Sequence, residues 1–221
     1  GVLAPTPVGG YDFLKPPWPG LVASASQGWG ELGWDAAAHG AGQAGLPLQI
    51  GEVYALRDDV KPFVRSYFNT IAAMLNPEVL SFWEHFNHSG AWDKTHETGY
   101  FLHQTRTMLV TERGDQLWLA AFITSNWLQD GLEVAVTNAP TRFGPVAYRL
   151  SSHVKDGYIE ANIEPPTRDA PKLLVLRLRH PDGQRIRRVT VNGKSHRNFD
   201  PVRECIFLKP TRERMVVLAK Y

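Results

Sequence analysis

A chain of 221 residues, 43% hydrophobic and 21% charged, is apolar enough to bury a core and too apolar for a disordered polymer. No apolar run approaches the ~20 residues a membrane-spanning helix needs, so no membrane partner is expected, and the single Cys205 excludes an internal disulfide. The formal net charge of +2 conceals two parts of opposite sign: seven Lys and Arg against fourteen Asp and Glu up to residue 141, then seventeen against eight from Arg142 onward. All seven Trp fall in the acidic part. The basic residues alternate along strands rather than forming a block. That fits solvated strand faces better than a nucleic-acid footprint, and a nucleic-acid partner is not expected.

In chain order, the first twenty residues are broken by Pro5, Pro7, Pro16, Pro17 and Pro19 and read as irregular. The opening Gly1-Val2-Leu3-Ala4-Pro5 is neither a translation start nor a signal peptide, which fits a piece of a longer chain. From Gly20 to Gly51, Ala and Gly alternate with Trp29, Glu31, Trp34, Asp35 and His39. Small residues at that density permit close backbone approach, as in tightly packed helices or ligand-lining loops. A helix is predicted after Asp58, read as its N-cap. Val60, Phe63, Val64, Tyr67, Phe68, Ile71 and Leu75 form one apolar face, and Asn76-Pro77 stops it. A shorter helix starts near Thr95 or Thr98 and gives way to strand around Met108.

Beyond that point the hydrophobic period is close to two. Strands are predicted at Gln116–Thr124, Glu133–Thr137, Val146–Ser151, Tyr158–Ile163, Leu173–Leu178, Arg187–Asn192, Glu204–Leu208 and Met215–Ala219. Between them lie Arg113-Gly114-Asp115, Asp130-Gly131, Asp156-Gly157, Pro181-Asp182-Gly183 and Asn192-Gly193, which favour tight hairpins. The expected fold is α+β: an irregular and helical part over residues 1–105, then an antiparallel β-sandwich over 106–221.

Chemistry concentrates at residues 83–103, which hold four of the eight histidines, at positions 85, 88, 96 and 103. The run Trp83-Glu84-His85-Phe86-Asn87-His88-Ser89-Gly90-Ala91-Trp92-Asp93-Lys94-Thr95-His96-Glu97 reads as a loop between helices. Glu84, Asp93 and Glu97 are the candidates for a carboxylate pair of the kind glycoside hydrolysis uses, one protonating the leaving oxygen and the other activating water or attacking the anomeric carbon. Trp83, Trp92 and Tyr100 offer flat faces to a sugar ring, and His85, His88 and His96 complete the candidate substrate contacts. The bland alternative is that the acids cap helices, the histidines bond to backbone and the Trp side chains pack a domain joint.

A rival reading is zinc bound by His85 and His88 with Asp93, His96 or Glu97. His-Glu-x-x-His is absent, and neither a metal nor another cofactor is expected. There is no Gly-x-Ser-x-Gly, and Cys205 sits in a predicted strand, where packing is the ordinary role. Asn87-His88-Ser89 is an N-glycosylation acceptor pattern.

Phe82-Trp83-Glu84-His85, then Lys94-Thr95-His96-Glu97-Thr98-Gly99, then Asp115-Gln116-Leu117-Trp118-Leu119 and Val189-Thr190-Val191-Asn192-Gly193-Lys194 together resemble the C-terminal end of large glycoside hydrolases. In the α-L-rhamnosidase-like and glucoamylase-like groups an (α/α)6 toroid carries the cleft and a β-sandwich closes the chain. The resemblance covers roughly residues 50–221 and implies a hydrolase, or its terminal portion, acting on plant or microbial oligo- or polysaccharide. There is room for only about three helices before the sandwich, far short of a toroid. Either the chain is the terminal part of a larger enzyme, with the remainder of that enzyme as an expected partner and isolated activity weak or absent, or it is a compact protein that keeps the end of that layout. An extracellular or periplasmic location follows from the polysaccharide reading. The alternative is a non-catalytic carbohydrate-binding or interaction module with a Trp-rich face.

Overall fold

The computed structural model of the chain describes residues 45–83, 93 and 95–221, without the side chains of 45–50, 73, 74 and 96. The chain forms two compact units, Gly1–Thr107 and Met108–Tyr221.

In the first unit, helix α1 (Gly45–Arg57) is followed after two residues by α2 (Val60–Met74). The sequence pattern did not reveal α1, which contains Gly45, Pro47 and Gly51 and has no sharply apolar face. Its burial of Tyr54 and Ala55 shows that packing, rather than intrinsic propensity, sustains it. The N-cap of α2 is Asp59 and not Asp58, and its side chain makes no capping bond. Asp58 instead takes φ 62°, the left-handed conformation that ends a helix, while Asp59 N–H returns to the Tyr54 carbonyl at 2.8 Å.

The apolar face of α2 buries Phe63 and Tyr67 as the spacing predicts. Buried Thr70 is satisfied by donating to the Ser66 carbonyl at 2.8 Å. Strands β1 (Leu75–Asn76) and β2 (Ser81–Phe82) form a small hairpin in which Phe82, 1% exposed, packs on Ile71, Leu75 and Phe101. Helix α3 (Thr95–Leu109) completes the set. The helix expected from near Thr95 or Thr98 begins at Thr95 and gives way to strand after Leu109.

The second unit is a sandwich of two sheets. The five-stranded sheet has the order β11-β12-β8-β4-β3, from Phe199–Asp200, Cys205–Leu208, Leu173–Arg177, Gln116–Leu119 and Val110–Arg113. The six-stranded sheet runs β10-β9-β13-β7-β6-β5, from Lys194–His196, Arg188–Val191, Met215–Lys220, Tyr158–Glu164, Val146–His153 and Glu133–Ala139. Every pairing is antiparallel except β4 with β8. Those two strands are separated by the excursion through β5, β6 and β7, long enough for a parallel crossover.

In the six-stranded sheet the period of two is plain: Val146, Tyr148 and Leu150 of β6, Ile159, Ala161 and Ile163 of β7, and Met215, Val217 and Ala219 of β13 are all buried. Their neighbours face away from that core. The five-stranded sheet buries consecutive residues, Leu117 to Leu119 and Leu174 to Arg177. Arg177, 1% exposed, donates from Nη1 to the Ala121 carbonyl at 2.6 Å and from Nε to the Arg203 carbonyl at 3.2 Å. The Arg113 guanidinium lies 4.1 Å from the centre of the Trp118 ring.

Three local expectations are corrected. The strand predicted over Gln116–Thr124 ends at Leu119, because Ala120 takes φ 55° and turns the chain. Pro181-Asp182-Gly183 is no hairpin, since β8 and β9 belong to different sheets. Asp130-Gly131 likewise follows a 3-10 turn (Ser125–Leu128) rather than joining paired strands. Asn192-Gly193 does close a hairpin between β9 and β10, with φ 48° and 77° at its two residues.

Candidate functional site

The N-terminal turn of α3 carries the described part of the candidate site. Glu97 lies in that turn, where a carboxylate is favoured by the helix dipole, and it is fully buried at 0% exposure. Asp93, two residues before the helix, is exposed. Tyr100, three residues after Glu97, is half-buried, as is Trp83 at the end of β2. The hairpin is tied to the helix start by a hydrogen bond of 3.2 Å between Ser81 Oγ and Thr98 Oγ1, and by Phe82 and Phe101 rings 5.4 Å apart. Trp83, the residue after Phe82, is thereby held at the same end of α3 as Glu97.

One face of α3 then continues with Phe101, Gln104 and Thr105. The Phe101 ring stacks on Tyr67 with centroids 5.6 Å apart, and Tyr67 Oη and Thr105 Oγ1 share a hydrogen bond of 2.7 Å. Burial raises the Tyr67 pKa, with the Thr105 contact opposing it. Nearby on α1, the Tyr54 hydroxyl is pushed up to about 12, mainly by burial and further by Asp59.

His103, one of the four clustered histidines, was legible in the sequence, whereas the roles of Gln104 and Gly51 were not. His103 Nε2 meets Glu52 of α1 at 2.8 Å, both side chains about half-exposed. Gln104 is 1% exposed, and its amide has no hydrogen-bond partner among the described residues. A Cβ on Gly51 would lie 2.9 Å from Gln104 Oε1, so the end of the Gln104 side chain would have to shift to admit one. The small-residue density around Gly51 was the available signal. Nothing in the sequence marked Gln104.

Glu84, His85, His88 and Trp92, and the side chain of His96, lie outside the described residues. Among the described residues, Glu97 and Tyr100 stand in the first turns of α3, Asp93 just before the helix and Trp83 just after β2. Chemically, this end offers a carboxyl group withdrawn from water, a second one open to it, and two aromatic rings. Among the described residues no group of three His, Cys, Asp or Glu side chains is gathered as a metal would require. No described helix is long and apolar enough to cross a membrane.

No protein-family model matches the chain, and no curated protein does. A solved structure described as a glycoside hydrolase is similar to it with a TM-score of 0.41 and 11% identity, over 73% of this chain and 29% of that one. This chain thus spans less than a third of that protein's length. A likeness at this level carries no argument about activity.

Proposed function

We propose that the chain is a glycoside hydrolase, or the terminal portion of one, that cleaves plant or microbial polysaccharide by carboxylate acid/base chemistry. The observation that supports it is the contrast between two acids at the start of α3: Glu97 is 0% exposed, and Asp93, four residues earlier, is open to solvent. Glycoside hydrolysis needs two carboxyl groups in unlike environments, one suited to donating a proton and one to activating water or attacking carbon. In this reading Glu97 is the proton donor and Asp93 or Glu84 its partner. Trp83 and Tyr100 flank the sugar, with His85, His88, Trp92 and His96 as further contacts.

The test is release of reducing ends from a panel of neutral polysaccharides by the intact chain and by Glu84→Gln, Asp93→Asn and Glu97→Gln. Loss of the general acid is expected to lower turnover by about 10²- to 10⁴-fold while sugar binding persists. Equal turnover in all three variants removes the proposal. Sugar binding without turnover in the unaltered chain is the outcome expected of a non-catalytic binding module.

A further inference from the structure

The outward face of the six-stranded sheet holds a cleft that the candidate site does not use. Its floor follows the strand register: Ala135 of β5 pairs with Arg149 of β6, Arg149 with Asn162 of β7, and Asn162 with Val216 of β13. The next row holds Ala147 opposite Glu164. These rows line a cleft of about 520 Å³, which continues into a second of about 460 Å³ that shares Thr137, Ala147, Glu164 and Arg214. Both volumes fall in the ~300–1,000 Å³ range of ligand sites. The register of β5 shifts between Val136 and Ala139, with Asn138 at φ 53°. Such a bulge bends an edge strand and sharpens its twist, which suits a concave face rather than a flat one.

Two of the three arginines that line these clefts, Arg149 and Arg214, are paired with acids, and Arg212 lines the second cleft. Arg149 Nη1 meets Glu133 Oε2 at 2.5 Å, and Ser151 Oγ donates to the other oxygen of Glu133 at 2.9 Å. Arg214 Nη2 meets Glu164 Oε1 at 2.5 Å. Asn162 Nδ2 donates to Glu160 Oε1 at 2.8 Å. The floor between them is low and apolar, made by Ala135, Ala147 and Val216. Tyr148 turns its side chain inward, so no aromatic ring platforms the cleft floor; the stacked His153 and Tyr158 rings lie farther along the same sheet face.

We propose that this cleft binds a segment of a neutral oligosaccharide of two or more pyranose rings. A pyranose presents C–H groups that suit the alanine and valine floor, and hydroxyls that each accept and donate. The tethered guanidinium, carboxylate, amide and hydroxyl groups supply both roles without reorganising. Arg149 and Arg214 are already engaged by Glu133 and Glu164, which disfavours an anionic ligand on the floor of the first cleft. A peptide strand seeks an unpaired sheet edge, and every strand on the cleft floor except β5 is paired on both sides. This inference rests on the carbohydrate reading of the chain, but it concerns binding and not cleavage.

The experiment titrates the intact chain with cellohexaose, mannohexaose and hexagalacturonate, followed by ¹H–¹⁵N NMR at Ala135, Ala147 and Asn162 and by calorimetry. Ala147→Trp fills the floor and Asn162→Ala removes the central amide. A neutral hexasaccharide is expected to shift those amides saturably, and each variant to weaken that binding at least ~10-fold, the loss of about 1.4 kcal/mol. Hexagalacturonate is expected to bind at least ~10-fold more weakly than the better neutral ligand. No shift with either neutral sugar, equal binding of hexagalacturonate, or unchanged affinity in the variants overturns the proposal. If Ala147→Trp fails to fold by thermal unfolding, Asn162→Ala and Arg214→Ala decide. Reducing-end release from a small aryl glycoside is expected to be the same in Ala147→Trp as in the unaltered chain. Failure of the cleft and failure of the catalytic proposal are therefore read separately.

Discussion

His180 shows how one buried side chain links the fold to pH. It is 3% exposed, its ring lies 4.8 Å from that of Tyr221, and its Nδ1 accepts the Asp182 N–H at 3.1 Å. Accepting at Nδ1 places the proton of the neutral ring on Nε2. Burial holds its pKa below the ordinary imidazole value, and Asp182 only partly opposes this. The unfolded chain therefore binds the extra proton first as pH falls. The stabilisation is complete above about pH 6.5 and is lost as pH drops through the lower, folded value. Urea unfolding at pH 7.5 and 5.0 is expected to show a larger loss of stability for the unaltered chain than for His180→Asn, which keeps an acceptor but cannot titrate. Equal losses would show that His180 contributes nothing to the pH dependence. The burial of Glu97 and Gln104 belongs to the same scale. Neither was legible in the sequence, because an acid in the first turn of a helix and a Gln two turns later both read as solvated residues. The approach of α1 at Gly51 to Gln104 and the bond from the β1–β2 hairpin to Thr98 are tertiary contacts that no local pattern announces.

At the scale of elements, legibility followed how much of the physics was local. The Asn192-Gly193 hairpin was readable because two adjacent residues must take positive φ and these types do so at little cost. The outer and inner positions of β6, β7 and β13 were readable because one face of their sheet meets solvent. The end of β4 was not, since Leu117 to Ile123 are all 4% exposed or less, and a continuously buried run has no period to mark its end. The segment before β6 makes a test of backbone conformation. Thr141 Oγ1 donates to the Gly144 carbonyl at 2.5 Å, and Gly144 N–H returns to the Thr141 carbonyl at 3.0 Å. Gly144 has φ +112°, well beyond the left-handed helical well of roughly +50 to +70°. A Cβ there would stand 3.2 Å from Arg168 Cβ and 3.3 Å from its backbone nitrogen. Gly144→Ala is therefore expected to cost about 1–3 kcal/mol in chemical denaturation. Gly157→Ala, at φ +82° with open space around it, is expected to cost less. The reverse order would mean that crowding at Arg168 is relieved without strain.

At the scale of the whole molecule, the sandwich carries its own means of folding. Its two sheets are hydrogen-bonded within Met108–Tyr221, and the residues that start it are held from inside. The Leu109 carbonyl accepts Ala120 N–H at 2.8 Å and the Tyr148 hydroxyl at 2.9 Å, while the Met108 carbonyl accepts Phe122 N–H at 3.1 Å. The buried rows of β6, β7, β8 and β13 lie within this unit. A domain of this length generally unfolds as one cooperative transition. Residues 106–221 expressed alone are therefore expected to give a single sigmoidal urea transition. Fluorescence would report it cleanly, because Trp118 and Trp127 are the only Trp residues in that segment. Trp118 is 4% exposed, and Arg113 lies over its ring, so unfolding moves it from a packed site into water. A drifting, non-cooperative signal would show that the sandwich needs the helical unit to fold. A cooperative one would let the cleft on the six-stranded sheet be titrated with cellohexaose in the absence of Trp83, Asp93, Glu97 and Tyr100. Binding retained there would assign the sugar contact to the sheet face itself, whatever the helical unit proves to catalyse.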